Sequence, residues 1–260
     1  MFDAMNTRDD EHWNYFTQDR QYSDLLKQRL NDGVKMDSAS TMGRYLNENA
    51  TGDLAIVDFG GGPGHYYPVI ADRYEHGSVD YHSVDIDADN IAFGTCHFGH
   101  NAHARFSVGS ALDPAEFLVD RNCVISANTL PHIPTIEPLL TAITAAPSVR
   151  FFLFRMLIGE ECVQIKKHLS DTSFEDLFER GYQHNNIYSL PYLQSLLGET
   201  WSLDRLPDLY DIDRLAGHSV PMQATDHFYS NRVSRPVGDM IFKGDIYMPW
   251  TFVLGTRTTE

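Results

Sequence analysis

The chain is expected to fold as an α/β protein: a seven-stranded, mainly parallel sheet with helices on both faces. Three observations predict this. From residue 54 onward, short apolar runs alternate with helical patterns, the order that parallel strands joined by helical crossovers require. The first run, Leu54 to Val57, ends at once in a glycine-rich turn, Asp58-Phe-Gly-Gly-Gly-Pro-Gly64, as a buried strand entering a tight loop would. The chain has 260 residues, 42% of them hydrophobic, which is enough for one large domain with a proper core.

Taken in order, residues 9 to 30 read as a helix, with Trp13, Phe16, Leu25, Leu26 and Leu30 among charged residues and Asp32-Gly33 as its stop. A second helix is expected over 40 to 49, so that residues 1–50 form an N-terminal helical cap on a domain spanning 51–260. Strands follow at 54 to 58, 79 to 85, 104 to 108, 123 to 128 and 149 to 155, with helices near 64 to 75, 88 to 97, 114 to 119 and 135 to 145. Asp113-Pro114 suits a helix start, because Asp caps well and Pro fits the first turn. Ser189 to Gly198 carries a Ser cap, an early Pro and a Gly stop. Runs at 201 to 206 and 250 to 257 supply the sixth and seventh strands. Segments 156–188 and 207–249 are longer than a minimal sheet needs, and long connections of this kind tend to bind ligands.

The glycine loop sets the chemistry. A dinucleotide loop reads G-x-G-x-x-G, and a register starting at Gly60 puts His65 where the third glycine belongs. What stands here is Asp58-x-Gly60-x-Gly62-x-Gly64, with Gly61 between. It resembles motif I of the class I S-adenosylmethionine (SAM) dependent methyltransferases. The resemblance implies a Rossmann-like sheet ending in an antiparallel pair, N-terminal helices over the cofactor cleft, with Trp13, Tyr15 and Phe16 either lid residues or, as the favoured reading, aromatics that pin the helix to the body of the protein, and SAM as cofactor. It also implies that the loop lies against the methionine part of SAM, and that an acid ending the second strand, Asp85, binds the ribose hydroxyls. Ile86 follows that acid. Val108-Gly-Ser-Ala-Leu-Asp113 resembles the family's adenine element, with Ser110 in place of the usual acid and Ala111 beside it. Asn128, at the fourth strand's end, completes the cofactor set. The glycine loop and the helix Tyr188-Ser-Leu-Pro-Tyr-Leu-Gln-Ser-Leu-Leu197 also resemble methyltransferases associated with surface polysaccharide biosynthesis.

Ligands of an open parallel sheet bind beyond the carboxyl ends of its strands, which here also carry Asp87, His132 and Arg155. Methyl transfer chiefly requires acceptor and methyl to be held in attack geometry. A hydroxyl acceptor gains further from a base, and His132, in Asn128-Thr-Leu-Pro-His, is the candidate because imidazole titrates near neutrality. A histidine that only hydrogen-bonds locally is the alternative. His65 reads as a packing residue ahead of a contact to cofactor or acceptor, Arg155 as an anion holder or a salt-bridge partner, and Tyr182, His184, Asn185 and Tyr188 as a cluster suited to a polyhydroxylated ligand or as an ordinary loop of the same composition. His218 and His227 lack the close spacing of a metal site, and no metal is expected.

A formal charge of −16, from 36 acids against 20 Lys plus Arg, argues against nucleic acid as substrate. Cys96, Cys123 and Cys162 are scattered and form no C-x-x-C pair, which fits a reducing compartment. With no basic-then-apolar leader and no apolar run of bilayer length, a cytoplasmic protein without membrane contact is expected. The expected function is methylation of a small-molecule or glycan acceptor, most readily on oxygen, with a homodimer left open. A SAM-binding protein without catalysis and an NAD(P)-dependent oxidoreductase are the competing readings.

Overall fold

In the computed structural model the described residues are 20–168, 182–209, 234–237, 240–243, 246–247 and 250–258. Two helices lead, α1 (Arg20–Asn31) and α2 (Asp37–Asn49), separated by Gly33 at φ +62. There follow β1 (Leu54–Phe59), α3 (Tyr67–Arg73), β2 (Val79–Asp85), α4 (Ala88–His97), β3 (Ala104–Val108), β4 (Cys123–Ala127), α5 (Glu137–Ala145) and β5 (Phe151–Gly159). Strands β6 (Lys166–His168) and β7 (Tyr182–His184) pair antiparallel, and the short β8 (Tyr188–Ser189) leads into α6 (Leu190–Leu197). After β9 (Trp201–Pro207) come β10 (Ser234–Val237), β11 (Met240–Lys243) and β12 (Ile246–Tyr247), a separate antiparallel three-stranded sheet, and then β13 (Trp250–Arg257).

The main sheet has the order β3-β2-β1-β4-β5-β13-β9. Its first five strands are parallel, β13 runs antiparallel to both β5 and β9, and β8 adds a short parallel pairing to β5. The seven-stranded, mainly parallel expectation therefore holds, with the sixth and seventh strands as the antiparallel pair. Side chains alternate across the sheet as a period of two demands. Leu54 and Ile56 of β1 join a core with Met42, Leu46, Val69 and Ile70 from α2 and α3. Val57 and Phe59 join the opposite core with Leu139, Leu140, Ile143, Leu193 and Leu197 from α5 and α6.

The larger departures from expectation are these. The helix expected from 64 begins at Tyr67 and is only seven residues long, because Gly60, Gly62 and Gly64 all have positive φ and the chain is still turning, with Tyr67 N donating to Gly64 O at 3.1 Å. The helix expected over 114 to 119 is a single 3-10 turn, Ala115–Leu118, and Asp113 does not cap it. Strand β5 runs on to Gly159, into what reads as an insertion. The second long segment holds β10, β11 and β12. By contrast, Ser189 caps α6 by accepting from Tyr192 N at 3.3 Å, and Gly198 ends it at φ +71.

Candidate active site

The chain order reverses between β1 and β4, so the carboxyl ends of these strands open a crevice of the kind in which α/β sheets hold ligands. Pairing aligns Asp58 with Ser83 and Ile125, Asp85 with Val108, and Ala127 with Arg155. The glycine loop, Asp85 and Asn128 thereby meet along one edge.

Three of the loop's four glycines are required by the protein's own packing. A Cβ on Gly60 would lie 1.9 Å from Thr129 Oγ1, on Gly61 2.5 Å from Ser83 Oγ, and on Gly64 2.8 Å from the Phe106 ring. Gly62 is different. At φ +55 its added Cβ would meet only Leu26 of α1 at 3.4 Å and Asp85 Oδ2 at 3.9 Å, so this is where a ligand can approach backbone. Strand β2 holds Gly62 at both polar atoms. Its N–H donates to Asp85 Oδ2 at 2.9 Å, and its carbonyl accepts from Ser83 Oγ at 2.9 Å.

The Asp85 carboxylate also accepts from Asp87 N at 2.9 Å through Oδ1. The Ile86 N–H is also directed at it, so part of its capacity of roughly four lone-pair sites stays for a ligand. Burial pushes its pKa up to about 6, against the lowering effect of the Asp87 and Gly62 N–H groups, with the Asp87 charge adding to the rise. Asp58 lies beneath the loop, 2% exposed, and accepts the Tyr81 hydroxyl at 2.6 Å. Burial pushes it up to about 7, with Tyr81 opposing and Asp85 adding. Asp58 thus supports the loop from below. Asp87, beside Asp85, also caps α4 by accepting from Asp89 N at 2.9 Å and from the Asn90 side chain at 2.8 Å.

These shifts fix the sign of a pH effect. A carboxylate raised in the folded state stabilises the fold below its unfolded value, and that contribution is lost as pH rises through the folded value, here about 6 and about 7. A ligand that hydrogen-bonds to ionised Asp85 behaves oppositely: its affinity is level above about pH 7 and falls toward tenfold per unit below about pH 6. Calorimetric titration with S-adenosylhomocysteine (SAH) from pH 5 to 8 checks this, and Asp85→Asn should abolish the acid limb.

The remaining expected residues fall around this centre. Ile86 is half-buried, Ala111 is 7% exposed in the core with Phe59 and Val84, and Ser110 Oγ accepts from Leu112 N at 3.1 Å. Gly109 N donates to Asp85 O at 3.0 Å, which ties this turn to the end of β2. Asn128 adopts φ +64, a conformation Asn tolerates better than most residues. Its Oδ1 accepts from the Arg155 guanidinium, which also pairs with Asp208 at 2.5 Å and stacks over Trp250 at 4.4 Å. Of the two readings of Arg155, the structure shows the salt bridge.

His132 ends the 3-10 turn Leu130–His132, and its Nδ1 lies 2.7 Å from the His184 carbonyl. A carbonyl only accepts, so Nδ1 carries the proton and the neutral ring's acceptor is Nε2. His65 is pushed down to about 3 by burial and by Arg29, so it stays neutral and packs edge-on to Tyr66. The cluster read as a ligand surface is instead internal: His184, Asn185 and Tyr188 are 1%, 4% and 7% exposed. Trp13, Tyr15, Phe16, His218 and His227 lie outside the described residues, as does the side chain of Tyr182. Among the described residues no group of three or more His, Cys, Asp or Glu is placed to hold a metal, and no helix is long and apolar enough to cross a membrane.

Sequence reasoning missed Ser83 and Thr129 as neighbours of the glycine loop. Ser83 was accessible, since it shares the face of β2 with Tyr81 and Asp85 at a spacing of two. Thr129 carries no local signal, because its place against Gly60 exists only in the folded sheet.

No protein-family model matches the chain, and no curated protein matches it in sequence. Solved structures do match. Magnesium protoporphyrin IX methyltransferase of Synechocystis, solved with SAM, superposes with a TM-score of 0.52 at 13% identity, covering 99% of this chain and all of that one. Phosphoethanolamine N-methyltransferase 2 of Haemonchus contortus, solved with SAH, gives 0.56 at 15%, and human N-acetylserotonin methyltransferase with SAM gives 0.52 at 14%. This chain covers 62% and 58% of the length of those two. At such identities the likeness is one of fold.

Proposed function

We propose that this chain, which has the fold of the class I SAM-dependent methyltransferases, binds SAM at the Gly62–Asp85 edge and methylates a small-molecule or glycan acceptor, on oxygen. The observation that carries the reading is the pairing of Gly62 with Asp85 and Ser83 at the crevice where strand order reverses. A carboxylate with lone pairs to spare beside an approachable glycine backbone fits a ribose diol next to a chain of small cross-section. Gly60, Gly61, Gly62 and Gly64 would lie along the methionine part, with Asp58 beneath them. Ile86, Ser110 and Ala111 would flank the base, and Asn128 would close the edge.

Charge supports the same choice. The Asp85 charge raises the proton affinity of Asp58, and the Asp87 charge raises that of Asp85. Such a site favours a cationic sulfonium over the diphosphate of a nicotinamide dinucleotide.

When bound, SAM supplies a methyl group already activated by its positive sulfur. The chain's own task is to orient the acceptor and take its proton. His132 offers Nε2 for that proton, with Nδ1 anchored on His184 O. We assign acceptor contacts to segments 156–188 and 207–249.

Calorimetric titration with SAM and with SAH tests the reading. Micromolar binding of both is expected, and folded protein that binds neither overturns it. Asp85→Ala should weaken SAH binding by about 1 to 3 kcal/mol by leaving ribose hydroxyls without an acceptor; unchanged affinity would remove Asp85 from the ribose.

A further inference from the structure

The segment Tyr182 to Ser189 packs against the connection between β4 and α5, and one residue in it grips the chain on both sides of His132. The Asn186 backbone N–H donates to Pro131 O at 2.7 Å, and its side-chain Nδ2 donates to Ile133 O at 2.8 Å. Both carbonyls can only accept, so the amide nitrogen must face Ile133. Nδ2 also lies 3.3 Å from the Tyr188 hydroxyl, and Asn186 is 3% exposed. Between the two anchors sits His132, with its N–H on Thr129 O at 2.8 Å and its Nδ1 on His184 O at 2.7 Å.

A three-residue 3-10 turn does not by itself hold an imidazole in one orientation. The bracket does, because it is itself fixed: Asn185 N donates to Ile165 O at 2.8 Å, and Ile187 and Val163 exchange backbone bonds at 2.8 and 2.9 Å. Ser189, capping α6, ties its far end.

We propose that Asn186 is a positioning residue for His132, holding the ring as the Nδ1–H tautomer so that Nε2 is the nitrogen that accepts a proton. Only the catalytic consequence rests on the reading of His132 as base; the tautomer stands on the geometry. Losing the Asn186 side chain removes the anchor on Ile133 O while the backbone bond to Pro131 O remains, so the chain after His132 is released and the ring no longer meets His184 O in a single orientation.

The test is nitrogen NMR of histidine-labelled protein at a pH where the rings are neutral, with His132 assigned by its loss in His132→Asn. The expected spectrum has one His132 tautomer, protonated at Nδ1. In Asn186→Ala the two nitrogen shifts should move toward each other, as in a mixture of tautomers. Asn186→Ser, which keeps a short donor, should retain more of the single tautomer and carries the test if the alanine variant does not fold. An Nε2–H tautomer in the unmodified protein overturns the proposal, and so does an unchanged tautomer in both variants. A protein that shows the expected tautomer but loses no turnover in His132→Asn leaves the positioning intact and removes the base.

Discussion

Arg155→Ala is expected to destabilise the protein by about 3 to 5 kcal/mol, because it strips the partner from a buried carboxylate. The Arg155 and Asp208 side chains are 8% and 1% exposed, and Nε and Nη2 both reach Asp208 Oδ2, at 2.6 and 2.5 Å. Lys35 and Asp72, also in contact at 2.9 Å, are each 63% exposed, and removing that pair should change stability by less than about 1 kcal/mol. Burial decides the difference. Chemical denaturation of the two variants compares them directly, and the double variant Arg155→Ala with Asp208→Ala should be no less stable than Arg155→Ala alone, since no charge is then stranded. A loss below about 1 kcal/mol for Arg155→Ala would show that water reaches Asp208 in solution. The same guanidinium holds Asn128 in its left-handed conformation, and Asn128 leads to Thr129 against Gly60. Weaker SAH binding should therefore accompany the lost stability.

What could be read in advance follows the range of the forces involved. The strands were legible because apolar runs and their breaks are local, and Asp85 because a strand end and a glycine loop mark its place. The start of α3 was not, since three glycines at positive φ keep the chain turning past Gly64. Asp87 and Asp113 look alike in sequence, yet Asp87 caps α4 and Asp113 caps nothing, because the turn after Asp113 closes by 3-10 bonds. The polar cluster around His184 misled for a different reason. Whether Asn and His lie on a surface or inside depends on who satisfies them, and the acceptors for Asn186 are carbonyls more than fifty positions earlier. Composition cannot show that.

Replacing His132 tests the chemistry most sharply when the substitute keeps its structural bond. His132→Ala removes the base but also leaves the carbonyl of a buried residue, His184, without this donor, which costs about 1 to 3 kcal/mol of its own. His132→Asn places an amide N–H where Nδ1 stood and has no group able to take a proton near neutral pH. If His132 is the base, turnover of a hydroxyl acceptor should fall about a hundredfold or more in both variants, while SAH affinity stays level. Stability should fall only in the alanine variant. A hundredfold is about 2.7 kcal/mol of barrier, well clear of what a small shift in the loop would produce. Retained turnover in His132→Asn would mean that the ring serves only as the donor to His184 O. An acceptor whose nitrogen lone pair needs no base would then suit the site better than a hydroxyl.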